Sequence, residues 1–209
     1  MGRFRSVPTP MYLLAGVLSW PFVTVPFRLR ARGLDRLPED GFVLAANHTS
    51  NFDPWPLGLS LFPRRQLRFM AKSELFSPVL GPVLRSGGAF PVRRGEGDLE
   101  AIDRAVELVR EGEIVVMFPE GTRRRKGMRK KHQARPHTGA ARIALTANAP
   151  LVPAAISGTD RLSRLGPLRV AYGEPLPLDD LRGDDLRSTS REATDRLMAA
   201  IRGLEASLS

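Results

Sequence analysis

The sequence predicts an α/β fold: a mixed, largely parallel sheet flanked by helices, with an apolar helical segment at the N-terminus. Two observations predict it. Short apolar runs of strand length alternate with longer windows of helical periodicity, the pattern of strands joined by crossover helices. Clusters of polar and charged residues follow directly on three of those runs, as they do where a parallel sheet presents its carboxyl edge to a ligand. The chain has 209 residues and a mass of 23.0 kDa, enough for one domain that buries its own core. It has no cysteine, which excludes a disulfide framework, a thiolate nucleophile and any Cys-ligated metal. Three histidines, His48, His132 and His137, leave little room for a histidine-built metal site.

Taken in order, residues 6–27 carry no charge, and the apolar stretch Met11–Phe27 lies between Arg5 and Arg28. Its length is near the minimum for a membrane span, and Pro21 and Pro26 are expected to kink or stop a helix. The segment therefore reads as a broken helix lying in one leaflet, with Tyr12 and Trp20 at the interface and the arginines on headgroups. A core helix and a full span are the alternatives. This divides the chain into a membrane-associating segment, 1–27, and an α/β domain, 28–209. Phe27–Ala31 is a candidate edge strand, and Phe42–Ala46 a buried one. Asp53 and Pro54 mark a helix start, since proline is favoured at the first helical position. Further strands are expected at Leu67–Ala71, Ala89–Val92, Ile114–Phe118, Leu151–Ile156 and Leu168–Tyr172. Asp98 is placed to cap a helix that puts Leu99, Ile102, Val106 and Val109 on one face, with Gly112 as its C-terminal stop. Thr138–Ala149 and residues 189–208 complete the helices.

The net charge is +10, and it is uneven. Residues 1–172 hold 27 basic and 14 acidic side chains (+13), and residues 173–209 hold 5 and 8 (−3). A basic body implies an acidic partner: nucleic acid, anionic lipid or a phosphorylated substrate. An aromatic content of 7% and the lack of a helix-turn-helix, zinc-knuckle or RNP-type motif argue against nucleic acid.

Three clusters carry the chemistry. His48 and Asp53, five apart, can meet only if the chain turns between them, and Thr49, Ser50 and Asn51 are turn formers. Asp53 is placed both to cap the following helix and to hold the imidazole. An imidazole oriented by a carboxylate is a general base for acyl transfer, and no serine is needed if the substrate brings its own hydroxyl. On spacing alone, a surface histidine beside a helix cap is the alternative. The second cluster is Phe118-Pro119-Glu120-Gly121-Thr122-Arg123. Gly121 permits a tight turn whose N–H groups face an anion, Thr122 adds a hydroxyl donor, and Arg123 adds a fork matched to phosphate. Glu120 is expected to bind a hydroxyl or orient an arginine. The third, Gly88–Arg94, ends a strand with arginines.

These residues match a family. Asn47-His48-x-x-x-x-Asp53, Gly88-x-Phe90-x-x-Arg93, Phe118–Arg123 and Val152-Pro153-Ala154-Ala155-Ile156 resemble, in that order, the four blocks of the glycerolipid acyltransferases, most of all the 1-acylglycerol-3-phosphate (lysophosphatidate) acyltransferases. The resemblance covers about residues 27–175. It implies direct transfer of an acyl group from acyl-CoA or acyl carrier protein to a lysophospholipid hydroxyl, with His48 taking the proton and Asp53 setting its tautomer. No metal, no cofactor and no covalent enzyme intermediate are implied. By the same resemblance Arg93, Glu120, Gly121 and Arg123 hold a glycerol phosphate head, and Lys72 lies near the site. Its implied location is the cytoplasmic face of the cell membrane, peripheral or monotopic. The acceptor, acyl length and thioester donor are left open: glycerol 3-phosphate, another lysolipid, a glycan or an amine are alternatives. One departure is the run Arg123–Lys131, with seven basic residues in nine. It reads as a solvated loop, a headgroup attractor or a binder of the coenzyme A phosphates. His132 and His137 are expected to be structural or exposed.

Overall fold

The computed structural model describes residues 8–92, 99–120, 136–183 and 185–208. A seven-stranded sheet forms the middle layer, in the order β1-β7-β6-β2-β5-β3-β4. Its strands are β1 (Arg30–Arg32), β2 (Phe42–Ala46), β3 (Leu67–Lys72), β4 (Ala89–Val92), β5 (Ile114–Met117), β6 (Leu151–Ser157) and β7 (Arg169–Tyr172). Strands β6, β2, β5, β3 and β4 run parallel, so their carboxyl ends share one edge. β7 pairs antiparallel with β6, and β1 runs parallel to β7, so the sheet is mixed as expected. The reversal follows from chain length. The residues between Ser157 and Arg169 are too few for a crossover helix, and a short connection returns the chain antiparallel. The edge strand lies at Arg30–Arg32, slightly later than the apolar run that suggested it.

β2 is the centre. Each of its five residues is buried, because both faces of the sheet are covered. Val43 and Ala45 face α4 (Leu99–Arg110), α5 (Gly139–Ala147) and α6 (Leu186–Ala206), whose Val106, Val109, Ile143, Leu197 and Ile201 complete that core. Phe42, Leu44 and Ala46 face α2 (Pro54–Leu61) through Leu57 and Leu61. Gly112 ends the turn after α4 at φ +89°, the left-handed conformation anticipated for it. Asp98 lies outside the described residues. α6 starts at Leu186, because the Asp185 side chain accepts from the N–H groups of Arg187 and Ser188 and caps it. α3 (Leu80–Ser86) is absent from the sequence reading: seven residues containing Gly81 and Pro82 give no usable periodicity.

The N-terminal segment forms α1 (Pro10–Thr24), capped by Thr9 and running through Pro21 rather than breaking there. It lies beside α2 and α3. Gly16 and Val23 are its buried residues, and a Cβ on Gly16 would meet the Phe62 ring at 2.2 Å. Tyr12 turns inward rather than toward an interface; its hydroxyl lies 3.3 Å from the carbonyls of Gly58 and Arg65, and burial pushes the phenol up to about 12. The other side exposes Met11, Leu14, Val17, Leu18 and Phe22, and Trp20 and Val25 are exposed as well. Among the described residues, no helix is long and apolar enough to cross a membrane.

Candidate active site

The site is built at the carboxyl edge of the sheet. β2 ends at Ala46, and the chain turns through Asn47–Phe52 into α2. The turn brings His48 Nδ1 to 2.8 Å from Asp53 Oδ2. The same oxygen accepts the backbone N–H of Thr49 at 2.7 Å and of Ser50 at 2.9 Å. Asp53 is therefore the residue at which the helix starts, but its carboxylate does not cap the helix; it turns back to close its own loop. Asp53 thus does one of the two tasks expected of it and not both. One carboxylate cannot face two sets of N–H donors, and the loop set includes the imidazole. Proline at the next position helps, because it removes one donor the helix would otherwise present.

Asp53 is fully buried and the His48 side chain is 17% exposed, so the ring is sheltered and still reachable. Burial acts to raise the Asp53 pKa, but the hydrogen bonds from His48, Ser50, Thr159 and Thr49 outweigh it and hold the carboxyl below its ordinary value. An ionised carboxylate can only accept, so His48 carries its proton on Nδ1 and Nε2 is left as the acceptor. The imidazole stacks on Phe118, with ring centroids 4.3 Å apart and planes 21° from parallel. Phe118 comes from the end of β5, the cluster containing Glu120.

Two residues acquire roles not visible in the sequence. The Asn47 amide bonds both backbone groups of Ile156, donating from Nδ2 to its carbonyl at 3.0 Å and accepting its N–H at 2.8 Å. It thereby staples the end of β2 to β6. Thr159, the second residue beyond β6, reaches Asp53 Oδ1. The signal for Thr159 was faint: a hydroxyl directly after a glycine, at the end of a strand expected to reach the same edge.

Lys72 ends β3 at this edge, exposed and in register with Val92. Glu120 is partly buried just beyond β5. Arg93, Gly121, Thr122, Arg123, the basic run to Lys131 and His132 lie outside the described residues. The N–H of His137 donates to the Pro119 carbonyl at 2.7 Å, so the chain returns after residue 135 to the point where it left β5. The His137 side chain is exposed. Among the described residues no cluster of His, Asp and Glu could hold a metal ion. A cavity of about 680 Å³, bordered by Leu37, Ser60, Phe62, Arg64, Gln66 and Ile114, lies at the opposite, amino edge of the sheet. It is remote from this chemistry.

An α/β sheet with a carboxylate-oriented histidine at its carboxyl edge is a site fit for general-base chemistry, of which acyl transfer is one kind. The chain belongs to the Acyltransferase family, whose model matches residues 28–157. It is 36% identical to the 1-acyl-sn-glycerol-3-phosphate acyltransferase of Bacillus subtilis, over 82% of this chain and 85% of that protein. It is 31% identical to a chloroplastic 1-acyl-sn-glycerol-3-phosphate acyltransferase of Brassica napus, over 74% of this chain and 43% of the plant protein. Among solved structures, the 1-acyl-sn-glycerophosphate acyltransferase PlsC of Thermotoga maritima matches with a TM-score of 0.59 and 26% identity, covering 83% of this chain and 69% of that one. The protein is an acyltransferase of the glycerolipid type.

Proposed function

We propose that this acyltransferase moves a fatty acyl group from a thioester to the free hydroxyl of 1-acylglycerol 3-phosphate, forming phosphatidic acid. The His48–Asp53 hydrogen bond carries the reading, because it leaves Nε2 as a base with no competing proton. In the reaction Nε2 takes the proton of the acceptor hydroxyl as its oxygen attacks the thioester carbonyl. The carbon–sulfur bond then breaks, and the imidazolium returns the proton to the departing thiolate. The products are an ester and a free thiol, and Asp53 stabilises the imidazolium between the two steps. The donor is acyl-CoA or acyl carrier protein. Arg93 and Arg123 hold the acceptor phosphate, with Glu120, Gly121 and Thr122 completing that subsite and Lys72 adding charge at the same edge. A phosphate monoester has enough free oxygens for two guanidinium forks, which favours lysophosphatidate over a phosphodiester lysolipid.

The location that fits this acceptor is the membrane surface. The exposed apolar side of α1 supports it, because a contiguous apolar face is the mark of a binding surface. α1 is too short to span, so the reading is of a helix seated in one leaflet at the cytoplasmic face. The test is direct. Purified protein is given palmitoyl-CoA or palmitoyl carrier protein with lysophosphatidate, lysophosphatidylcholine and glycerol 3-phosphate, and products are read by mass spectrometry. Phosphatidic acid, formed with one thiol per ester, is the expected result. Acylation of another acceptor in preference would overturn the substrate assignment.

A further inference from the structure

Asp53 orients His48, which raises the question of what orients Asp53. The terminal torsion of an aspartate is soft and roughly two-fold, so backbone placement alone does not set the plane of its carboxylate. Oδ2 receives three donors, His48 Nδ1 and the N–H groups of Thr49 and Ser50. Oδ1 receives hydroxyls. Thr159 Oγ1 lies at 2.5 Å and Thr49 Oγ1 at 3.3 Å, and the two hydroxyl oxygens are 2.9 Å apart. Proton counting sets the direction. The carboxylate cannot donate and its short contact is the one to Thr159, so the proton of Thr159 goes to Asp53 and that of Thr49 to Thr159. Thr159 is 2% exposed, too buried for water to take over. Its position is set from far along the chain: Gly158 at φ +94° turns β6 back toward the β2 loop, and a side chain there would meet the Pro167 carbonyl at 2.4 Å.

We propose that Thr159 is a positioning residue for the transfer reaction, its hydroxyl pinning Asp53 Oδ1 so that Oδ2 stays aimed at His48 Nδ1. This rests on the general-base reading of His48. It gives the strand of the fourth sequence block a mechanical task, in which β6 delivers the residue just beyond its end that aligns the His–Asp pair.

The experiment compares Thr159→Val, which keeps the shape and removes the hydroxyl, with Thr159→Ser, which keeps the hydroxyl. Thr194→Val is the control, a buried threonine whose hydroxyl donates within α6, to the Ser190 carbonyl. Each is assayed with palmitoyl-CoA and lysophosphatidate by thiol release, alongside melting temperature. Thr159→Val is expected to lower kcat roughly 10- to 100-fold, the scale of small misplacements of reacting groups, with both KM values within about twofold. Thr159→Ser should recover most of kcat, and Thr194→Val should keep it even with a similar loss of melting temperature. Wild-type kcat in Thr159→Val, a loss confined to KM, or a loss that serine does not restore overturns the proposal. If Thr159→Val does not fold, Thr159→Ala replaces it under the same criteria. If neither folds, the residue is structural and the proposal fails. His48→Ala separates the two readings: retained activity there removes the general base itself, whereas an inactive His48→Ala beside a fully active Thr159→Val removes only the role of Thr159.

Discussion

The turn Asn47–Asp53 and the helix Pro10–Thr24 both lean on α2, and they are held there by opposite means. The turn is a closed hydrogen-bonded system: a fully buried carboxylate receives the imidazole, two backbone N–H groups and the Thr159 hydroxyl, and Asn47 ties its base to β6. The helix buries Gly16 and Val23 and leaves Phe22 75% and Leu18 61% exposed. The first region is complete as it stands. The second leaves an apolar face that no described residue covers. A charge-bearing site must be satisfied inside the protein, because an unpaired buried polar group is costly. An apolar helix face needs no specific partner and leaves its contact area open to any medium that excludes water.

The largest effect that would break this comparison is on the turn. His48→Ala removes the proposed base and should lower turnover about 10²- to 10⁴-fold with the melting temperature nearly unchanged, since the ring contributes one bond and one stacked face. A variant keeping more than a tenth of wild-type thiol release would show that the turn is not the reacting centre.

Asp53→Asn should cost both activity and stability. An amide opposes at least one of the donors that now face the carboxylate, and about 1–3 kcal/mol is expected for such an unsatisfied buried group. The pH dependence has a definite sign. The folded-state pKa of Asp53 is depressed, so its contribution is fully present above the unfolded carboxyl pKa, about 3.9, and is lost as pH falls through the folded value. The melting-temperature gap between wild type and Asp53→Asn should therefore be wide at neutral pH and shrink in acid. A gap that stays constant down to the acid limit would mean that the ionised carboxylate is not what holds the turn.

The smallest structural effect belongs to the helix. Leu18→Gln with Phe22→Gln removes two exposed apolar side chains, each worth about 1.5–3 kcal/mol if fully buried in an apolar phase. Partition onto vesicles containing phosphatidylglycerol should weaken at least tenfold in a sedimentation assay, while the melting temperature in solution stays within about a degree. Turnover on micellar lysophosphatidate should fall more than hydrolysis of palmitoyl-CoA in water. Unchanged vesicle binding would place the lipid contact elsewhere, and a large drop in melting temperature would make this face part of the core.

Much of this was legible in the chain because it is local. Phe42–Ala46 reads as a central strand from its unbroken apolar run, Pro54 marks the start of α2, and Gly112 marks the end of the turn after α4. His48 and Asp53 were legible as a pair because only four residues lie between them, and Thr49, Ser50 and Asn51 are turn formers. What tertiary structure alone decided are the relations between distant segments. Strand order brought Thr159 to Asp53, more than a hundred residues back, and brought Ile156 to the Asn47 amide. The same packing chose between the two uses open to Asp53. Its carboxylate serves the loop rather than the helix because Thr159 joins His48 on the loop side, and a local reading has no access to that distant donor. It also chose which side of α1 to cover. The helix is apolar all round, so its sequence contains no preference, and the seat was decided by where Phe62, Gly58 and Arg65 lie on the folded domain. Local propensity and short-range hydrogen bonding are written along the chain; competition among distant partners for one buried carboxylate or one helix face is settled only when the sheet has assembled.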